Sequence, residues 1–505
     1  MKAIVSTTVL CATLIGCVSP LATVTDTSPA GPQQPSRLFL QQVGSASAIV
    51  KWRGPATQLC VATGAVELAQ NPRCIDAIDS DGDHREVLID TLTADSNYYY
   101  SVGGYRSDNY QFRTAPNSGS VPADGGVHVW LLGDSGTATE QYGGKYTHPG
   151  EAQQVLDGFL QYNQAAGGEA LDLILMLGDN AYTDGTDAQW QGAVFDLYRD
   201  QLSGAALWPT IGNHEMGVGA ITVPSGVVHF SGASISADPN SFISRDDMSP
   251  RAIPYLDIFT LPTAAQLGGV ASGSEQYYAF DYGNVHFVSL DSQLTARDEQ
   301  QRLAMKQWLI SDLSSNQLHW TVVIFHHPPY TRGSHDSDSK PAARFGVDQP
   351  IIDMRMEFTP IFEDYGVDFV YGGHSHSYER SYYLNGHTGD ADSFDASVHA
   401  ELTAKGNPAK GFGDESYSQI SDHSQLDDKV VYTVAGSAGK VSLRRSGTAD
   451  GELDHPAHII QPLDANGRRG LAELGSVVLD AAATTLTARF INERGEVMDT
   501  VVIRR

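Results

Sequence analysis

The sequence predicts an all-β N-terminal sandwich followed by a larger α/β layered domain. Residues 37–116 consist of short segments in which apolar and polar side chains alternate, with turn residues between them, and this pattern is typical of antiparallel strands. From residue 127 onwards, short apolar runs alternate with longer segments, one of which has the apolar spacing of a helix. Such alternation indicates a layered α/β core. A length of 505 residues is sufficient for both regions.

The first 22 residues are predicted to be a targeting segment. A short basic start, Met1-Lys2, precedes a mostly apolar run that is too short to span a bilayer as a helix. The run ends in Leu-Ile-Gly-Cys, which resembles the cleavage box of bacterial lipoproteins. We therefore expect Cys17 to carry lipid and to anchor an exported protein, in the periplasm or at the cell surface. The alternative is an ordinary signal peptide cut near Ala22, which would release a soluble secreted protein.

Composition narrows the range of partners. The formal net charge of −28 argues against nucleic acid or an anionic membrane as a general partner, because like charges repel. Contact with a membrane is expected only through the N-terminal lipid anchor. The acidic surface also repels phosphate at long range, so any phosphate chemistry would need cations close to the reacting group.

Four segments with the strand pattern predict the sandwich. They are residues 47–52, 86–90, 97–102 and 110–114. Short strands separated by turns look like a fibronectin-type-III-like sandwich, which has about 100 residues. A tether rich in Thr, Ser, Pro, Gly and Gln precedes the sandwich at residues 23–36, and a Pro/Gly/Ser-rich linker follows it at residues 117–126.

Two cysteines lie in the predicted sandwich, Cys60 and Cys74. In a chain bound for an oxidising compartment, we expect this single pair to form a disulfide. A structural zinc site at these residues would lack two of its four ligands.

Residues 127–505 contain the predicted α/β domain. A helix is expected from Ala296 to Leu313, with Thr295 and Asp298 as a capping box. Residues 385–428 are polar and Gly-rich without an apolar period, and we expect a long surface loop or lid. Apolar runs predict strands at residues 127–132, 171–177, 285–290, 321–325 and 369–371, and later at 430–434, 475–479, 486–491 and 497–503.

A polar cluster follows each of five apolar segments. Because the carboxyl ends of parallel strands meet at one edge of a sheet, we expect the five clusters to share one crevice. Any single cluster could instead be an ordinary turn or helix cap. The clusters are Gly133-Asp134-Ser135, Gly178-Asp179-Asn180-Ala181-Tyr182, Gly212-Asn213-His214-Glu215, His326-His327-Pro328-Pro329-Tyr330 and Gly372-Gly373-His374-Ser375-His376.

The side chains of these clusters predict a metal site. Together they supply two carboxylates, an amide, a phenol and several imidazoles, and oxygen donors with imidazole nitrogen suit hard or borderline cations. The number of donor side chains exceeds the number of ligands that one ion requires. Two ions that share a bridging carboxylate would accommodate them, as in two-metal hydrolases.

The ordered motifs GDS, GDNAY, GNHE, VIFH and GHSH, between Gly133 and His376, resemble those of the purple acid phosphatases, a branch of the metallophosphoesterases. The sandwich ahead of the motifs matches the N-terminal domain of the larger members. The resemblance implies a catalytic domain with an αββα sandwich fold, a binuclear metal centre, and acid phosphatase activity on phosphate monoesters.

Carried over to this chain, the resemblance also implies a ligand for each coordination position. The first ion would be Fe(III), and the second would be Fe(II), Zn(II) or Mn(II). The first ion would be bound by Asp134, Tyr182 and His376, the second by Asn213, His326 and His374, and Asp179 would bridge the two.

One difference between this chain and the general sequence pattern of the superfamily indicates the purple branch. The general pattern has a histidine two residues after the first aspartate, where this chain has Gly136. The resemblance implies that Tyr182 replaces that ligand, and a phenolate on Fe(III) produces the charge-transfer colour of these enzymes.

The resemblance further implies two catalytic histidines. His214 would face the substrate as an acid or a stabiliser of the transition state. His335 is the nearest candidate for the second histidine, which in the family follows the VxxH ligand at a short distance. His327 matches no family role, and we expect it behind the ligands or facing solvent.

The sequence therefore predicts an exported phosphomonoesterase in which a trivalent ion generates hydroxide for in-line attack, while His214 and His335 stabilise and protonate the leaving group. A phosphodiesterase or nucleotide hydrolase that uses the same metals is one alternative. A surface-anchored binding protein, in which the β-sandwich carries the function, is another.

Overall fold

The computed structural model describes residues 32–137, 150–183, 185–215, 220–223, 226–229, 253–293, 299–338, 348–419, 429–442, 453–461 and 468–505. For residues 220–223 and 226–229 it describes the backbone alone. The predicted targeting segment, including Cys17, and most of the tether lie outside the described residues.

The described strands run through both predicted regions. Those of the first region are β1 (Ser36–Gln41), β2 (Ala48–Arg53), β3 (Gln58–Ala62), β4 (Arg73–Asp76), β5 (Ile78–Ser80), β6 (His84–Ile89), β7 (Asn97–Val102) and β8 (Gln111–Arg113). Those of the second region are β9 (Gly126–Leu132), β10 (Leu173–Met176), β11 (Ala206–Pro209), β12 (Ala220–Val223), β13 (Gly226–His229), β14 (Tyr278–Tyr282), β15 (Val285–Ser289), β16 (Trp320–Ile324), β17 (Phe369–Gly372), β18 (Tyr378–Leu384), β19 (Tyr417–Ser418), β20 (Val430–Ala435), β21 (Gly470–Leu471), β22 (Gly475–Ala482), β23 (Thr485–Asn492) and β24 (Val497–Arg504).

Most helices are short. They are α1 (Ala65–Gln70), α2 (Glu151–Ala166), α3 (Asp187–Trp190), α4 (Arg199–Leu202), α5 (Pro254–Ile258), α6 (Glu299–Ser315), α7 (Gln349–Asp353), α8 (Thr359–Asp364) and α9 (Ala396–His399). Two π-helical turns, Gln191–Phe195 and Met354–Phe358, extend α3 and join α7 to α8. Within the described part of the chain, no helix is both long and apolar enough to cross a membrane.

Two mixed sheets form the core of the second region. The first has the order β19-β24-β23-β22-β9-β10-β11-β1-β2-β6-β5, and the second has the order β14-β15-β16-β17-β20-β18-β21. β9, β10 and β11 are parallel neighbours, and their side chains are buried almost throughout, as expected for strands covered on both faces.

The side chains of β16 point alternately to opposite faces of its sheet, and their contacts show how the layers are stacked. Val322 and Ile324 belong to the apolar cluster that contains the first sheet, whereas Val323 packs with residues of α6 and α8 on the opposite face. On the far side of the first sheet, Phe159 of α2 stacks on Trp130 of β9 at a ring separation of 4.1 Å. The order helix, sheet, sheet, helix is the predicted αββα sandwich.

The N-terminal sandwich is continuous with the core of the second region. β4, β3, β7 and β8 form one of its sheets, and β1, β2, β6 and β5 extend the first mixed sheet, because β1 pairs in parallel with β11 at Leu40 and Ala206. The sequence predicted two regions separated by a linker and contained no signal for this shared sheet. Cys60 of β3 lies opposite Cys74 of β4 in the register, and a disulfide joins them with a Cα separation of 4.0 Å.

Two other expectations concern the second region. The predicted helix is observed as α6, described from Glu299 to Ser315, and its expected start and capping residues lie outside the described residues. Over its described part, the segment 385–428 is mostly loop and also contains the short helix α9 and the two-residue edge strand β19. Tyr417 of β19 is buried and stacks on Tyr383.

Candidate metal centre

The five polar clusters meet between the two sheets. Asp134, Asp179 and Asn213 follow β9, β10 and β11 of the first sheet, while His326 and His374 follow β16 and β17 of the second. The expectation of one crevice is confirmed, but the clusters do not lie on one sheet edge as predicted. The parallel strands of the two sheets end close to each other. A direct contact joins the two sheets, because the backbone nitrogen of His374 donates to Asp134 Oδ2 at 2.7 Å.

The predicted ligands of the first ion gather around the phenol of Tyr182. Its hydroxyl lies 3.0 Å from Asp134 Oδ1 and 3.2 Å from Asp179 Oδ2. The same oxygen lies 3.3 Å from His376 Nε2. These four residues are called the first donor group below.

The predicted ligands of the second ion gather around Asn213. Its Oδ1 lies 3.0 Å from His326 Nε2 and 3.0 Å from His374 Nδ1. His326 Nε2 also lies 3.3 Å from Asp179 Oδ2. Asp179, Asn213, His326 and His374 form the second donor group, and Asp179 Oδ2 is the atom that both groups contact.

The donor chemistry fits a pair of hard or borderline cations. Carboxylate, phenol and amide oxygens are combined with imidazole nitrogens, which is the mixture such ions take. The ligand atoms of Asp134, Asp179 and His326 lie within 4.8 Å of one another. The Nδ1–H of His326 donates to the carbonyl of Leu177 at 2.9 Å, so Nε2 is the ring nitrogen that faces the group. The site can therefore hold metal.

Burial gives the carboxylates and imidazoles unequal charge preferences. Burial raises the pKa of Asp134 to about 8, and the neighbouring Asp179 carboxylate adds to that effect. Burial also opposes ionisation of Asp179, but His326 and His214 outweigh it and hold its pKa well below the ordinary value. Burial lowers the pKa of His374 to about 3, so that imidazole is neutral and its lone pair is available. Buried carboxylates together with the neutral imidazole of His374 favour a cation at this site.

Three of the ligand candidates have left-handed backbone conformations. The φ angles are 56° at Asp134, 53° at Asp179 and 66° at His374, a region that non-glycine residues rarely occupy and that costs about 1–3 kcal/mol at each position. The backbone around these residues is closely packed. A Cβ on Gly373 would collide with Asp134 Oδ2, and one on Gly212 would collide with Asp179 Oδ1. The strand-end turns thus aim the side chains into the crevice at the expense of local strain.

Glu215 was not assigned a role from the sequence, although it lies within the GNHE motif. Its buried carboxylate accepts from the backbone nitrogens of Asp179 at 2.9 Å and Gly212 at 2.7 Å through Oε2. Oε1 accepts from Asn180 at 2.6 Å and Ala181 at 3.2 Å. One side chain therefore clamps the turn after β10 to the turn after β11.

The two predicted catalytic histidines lie at different sides of the donor groups. His214 Nδ1 lies 2.6 Å from the carbonyl of Thr183 and its Nε2 lies 3.8 Å from Asp179 Oδ2. His335 stacks on the ring of His374 with a centroid separation of 3.8 Å, and its side chain is 23% exposed. The structure therefore brings both histidines to the site.

His327 lies behind the ligands and does not face solvent. It is fully buried, its Nδ1 lies 2.9 Å from Ser292 Oγ, and its ring centre is 4.4 Å from that of His374. Its ligand atom lies within 4.8 Å of those of His326 and His374, so it supports the second donor group from behind.

Three further residues of the site carried no sequence signal, because none belongs to a motif. Lys440 is buried with Nζ 4.8 Å from the centre of the Tyr182 ring. Ser442 Oγ lies 2.6 Å from His376 Nδ1, which leaves Nε2 of that histidine for the first donor group. Asp348 contacts both His335 and His374.

Comparisons with known proteins agree with this geometry. Residues 127–378 match the model of the calcineurin-like phosphoesterase family. Purple acid phosphatase 18 of Arabidopsis thaliana is 26% identical over 311 residues, which are 60% of this chain and 54% of that protein. The phosphoenolpyruvate phosphatase of Allium cepa is 24% identical over 311 residues, 59% of this chain and 50% of that protein. The chain spans about half the length of the curated relatives it matches.

Solved structures show the same fold. The purple acid phosphatase PPD1 from seeds of yellow lupin (Lupinus luteus) aligns with a TM-score of 0.61 and 16% identity, over 93% of this chain and 74% of that chain. The structure of PhoD aligns with a TM-score of 0.53 and 14% identity, over 93% and 89%. The chain therefore carries a domain of the calcineurin-like phosphoesterase family, and purple acid phosphatases are among its relatives.

Proposed function

We propose that this protein hydrolyses phosphate monoesters at a binuclear metal centre. The observation that carries the proposal is the contact of both donor groups with one atom, Asp179 Oδ2, which lies 3.2 Å from the Tyr182 hydroxyl and 3.3 Å from His326 Nε2. A carboxylate at this position suits a bridge between two ions, and paired ions are the usual device for in-line displacement at phosphorus.

The ions proposed for the two groups are Fe(III) with Fe(II), Zn(II) or Mn(II). When bound, they would supply a water of lowered pKa and screen the negative charge of the phosphoryl group. That local positive charge would offset the repulsion expected between a phosphate ester and a chain of net charge −28. Iron is proposed for the first donor group because the chain has Tyr182 there and has Gly136 in place of a histidine.

His214 is proposed to bind the phosphoryl group. Its Nδ1 faces the Thr183 carbonyl at 2.6 Å, so that nitrogen carries the proton and Nε2 is the atom that can reach substrate. The backbone nitrogen of His214 donates to Asp179 Oδ1 at 2.8 Å, which fixes the imidazole relative to the proposed bridge. Contacts of this kind stabilise charge that develops in the transition state.

His335 is proposed to protonate the leaving group. It is the more accessible of the two histidines, with 23% of its side chain exposed against 12% for His214, and a departing alcohol must leave towards solvent. General acid catalysis by a histidine at such a position contributes roughly 10²–10⁴-fold to a rate.

Export and attachment to a membrane through lipid on Cys17 are part of the proposal. The apolar N-terminal run that ends in Leu-Ile-Gly-Cys supports export. The Cys60–Cys74 disulfide is consistent with an oxidising compartment. The expected partner is a small phosphate ester, and nucleic acid is disfavoured by the net charge.

The proposal is tested with the full chain after metal analysis and a visible spectrum of the purified protein. Aryl and alkyl phosphate monoesters and a bis-aryl phosphate diester are assayed side by side, before and after removal of metal by a chelator. We expect monoester turnover that is lost with the metal and restored by Fe and Zn. Faster hydrolysis of the diester, or monoester turnover that survives complete metal removal, would contradict the proposal.

A further inference from the structure

We propose that Asp348 is a positioning residue that locks the catalytic candidate His335 against the metal-ligand candidate His374, so that His335 Nε2 is directed at the leaving group. This inference rests on the proposed phosphomonoesterase function and goes beyond it, because it assigns a residue that lies in none of the five motifs.

A single oxygen of Asp348 contacts both histidines. Oδ1 lies 2.8 Å from His335 Nδ1 and 3.4 Å from His374 Nε2. The two imidazole rings are in contact and tilted, with a centroid separation of 3.8 Å and an interplanar angle of 32°. The carboxylate therefore joins the edges of two neighbouring rings, and movement of one ring relative to the other would break at least one contact.

The surroundings of Asp348 indicate that its side chain does not serve to cap α7. It occupies the N-cap position of α7, where an aspartate usually accepts from the first backbone nitrogens of the helix, yet its side chain makes no capping hydrogen bond. The side chain is 2% exposed. Oδ1 is therefore directed at the two histidines rather than at the start of the helix.

The contact with His374 defines which of its nitrogens faces the metal site. Nδ1 of His374 points to Asn213 Oδ1 at 3.0 Å, within the second donor group, and Nε2 points to Asp348. A histidine that binds metal through one nitrogen and donates from the other to a carboxylate is held in a single tautomer and orientation. Asp348 thus supports the second donor group from outside.

The contact with His335 does the same for the proposed acid. With its Nδ1 proton directed to Asp348, His335 presents Nε2 from the opposite edge of its ring. As water adds to phosphorus and the bond to the ester oxygen breaks, a proton passes from Nε2 to that oxygen and an alcohol departs. The attacking water releases one proton to solvent and the imidazole recovers one from solvent, so the net reaction is addition of one water.

Leaving-group dependence provides the test of positioning. Rates are measured with aryl and alkyl phosphates whose alcohols cover a wide range of pKa, using wild-type protein, Asp348→Asn and His335→Asn, all at verified metal occupancy. Poor leaving groups need the proton most, so we expect a loss of a few-fold for a nitrophenyl ester and of roughly 10²-fold or more for alkyl esters. The double variant should be no worse than His335→Asn, because the two residues act as one unit.

A second measurement separates the two contacts. Apo protein is titrated with Zn²⁺, and Asp348→Asn should bind the second ion roughly 10–100-fold more weakly than wild type, whereas His335→Asn should bind it normally. The matched control is Asp353→Asn, at the other end of α7, which removes the same charge from a carboxylate that contacts Gln349 Nε2 and lies 3.8 Å from Arg302 Nη1. It should resemble wild type in both measurements, and thermal unfolding verifies that each variant is folded.

The outcomes distinguish this inference from the proposed function. Wild-type protein that hydrolyses no monoester would refute the phosphomonoesterase proposal, and the zinc titration would still test Asp348. Active wild type with an Asp348→Asn variant that loses the same factor on every ester would overturn the positioning role. Unchanged zinc affinity in that variant would overturn the contact with His374 as a support for the metal site.

Discussion

The carboxylate of Glu215 lies 2.9 Å from the backbone nitrogen of Asp179, and Asp179 is the residue that both donor groups share. Glu215 accepts three further backbone hydrogen bonds, from Asn180, Ala181 and Gly212. The positions of Asp179 and of the turn that carries Asn213 thus depend on a side chain that need not touch either ion.

Glu215→Gln should weaken both folding and metal binding. The glutamine amide nitrogen would face backbone donors, and each buried donor left unsatisfied costs about 1–3 kcal/mol. Urea unfolding and metal titration measure the two effects. Glu299→Gln, at an exposed position in the first turn of α6, is the control and should change neither. Normal metal affinity in Glu215→Gln would show that the clamp is dispensable.

Asp179→Asn should abolish turnover and lower the metal content. The substitution keeps the size of the side chain but removes the charge from the atom common to both donor groups. Metal analysis and a monoester assay are the measurements. Asp364→Asn, at the exposed end of α8, removes one charge outside the site and should leave both unchanged. Full activity in Asp179→Asn would rule out a two-metal site.

Tyr182→Phe should bleach the protein. Wild-type protein is expected to show a visible charge-transfer band if the phenol, which lies between Asp134 and Asp179, binds Fe(III). The spectrum of oxidised, metal-loaded protein measures this, with Tyr365→Phe as the control outside the site. A wild type that is colourless when oxidised and loaded would contradict iron and leave the phosphoesterase proposal standing.

Arg113→Leu should destabilise the joint between the sandwich and the catalytic core. Arg113 of β8 contacts both carboxylate oxygens of Asp172 at 2.8 Å, and Asp172, just before β10, is buried. Removal of one partner from a buried pair costs about 3–5 kcal/mol, because the other charge remains buried.

Denaturant unfolding measures this loss. Adding Asp172→Asn to Arg113→Leu should recover part of it. Arg73→Leu is the matched control, since its partner Asp90 is 74% exposed, and such surface pairs contribute about 0–1 kcal/mol. Equal effects of the two arginine substitutions would contradict the buried-pair explanation.

His286 should make stability depend on pH. It lies 2.8 Å from Asp281 and 2.7 Å from Asp312. Burial opposes its protonation, but the two carboxylates outweigh burial and raise its pKa to about 9. The folded pKa exceeds the ordinary value of about 6.5, so the stabilisation is complete below pH 6.5 and is lost as pH rises through 9.

The stabilisation from His286 should amount to roughly 3 kcal/mol. The difference in unfolding free energy between wild type and His286→Gln, measured from pH 6 to 10, isolates it from other titrating groups. We expect a difference that is greatest near pH 6 and shrinks towards pH 10. A constant difference across this range would contradict the raised pKa.

The sequence by itself determined the main architecture and the chemical identity of the site. Strands β9, β10, β16 and β17 were predictable because buried strands are short apolar runs, and their polar ends carry Asp134, Asp179, His326 and His374. Residue type alone, with no geometry, indicated that these donors suit hard or borderline metals. The helix α6 was predictable for a similar reason, since its apolar spacing is local.

Other features depended on contacts between residues distant in the chain. The pairing of β1 with β11 joins residues 40 and 206, and no local pattern specifies which strand lies beside an open sheet edge. The convergence of two sheets, rather than one, decides which donors face each other. Asp348 has no motif, and only the fold places its carboxylate between His335 and His374.

The left-handed backbone at Asp134, Asp179 and His374 is another feature that local sequence patterns do not predict. Local propensity disfavours that conformation in a residue with a Cβ, so the sequence around each position could not predict it. Tertiary contacts accompany it: the backbone nitrogen of Asp179 donates to Glu215, and that of His374 donates to Asp134. The sequence determined which ligands are present, and only the tertiary structure decided where they point.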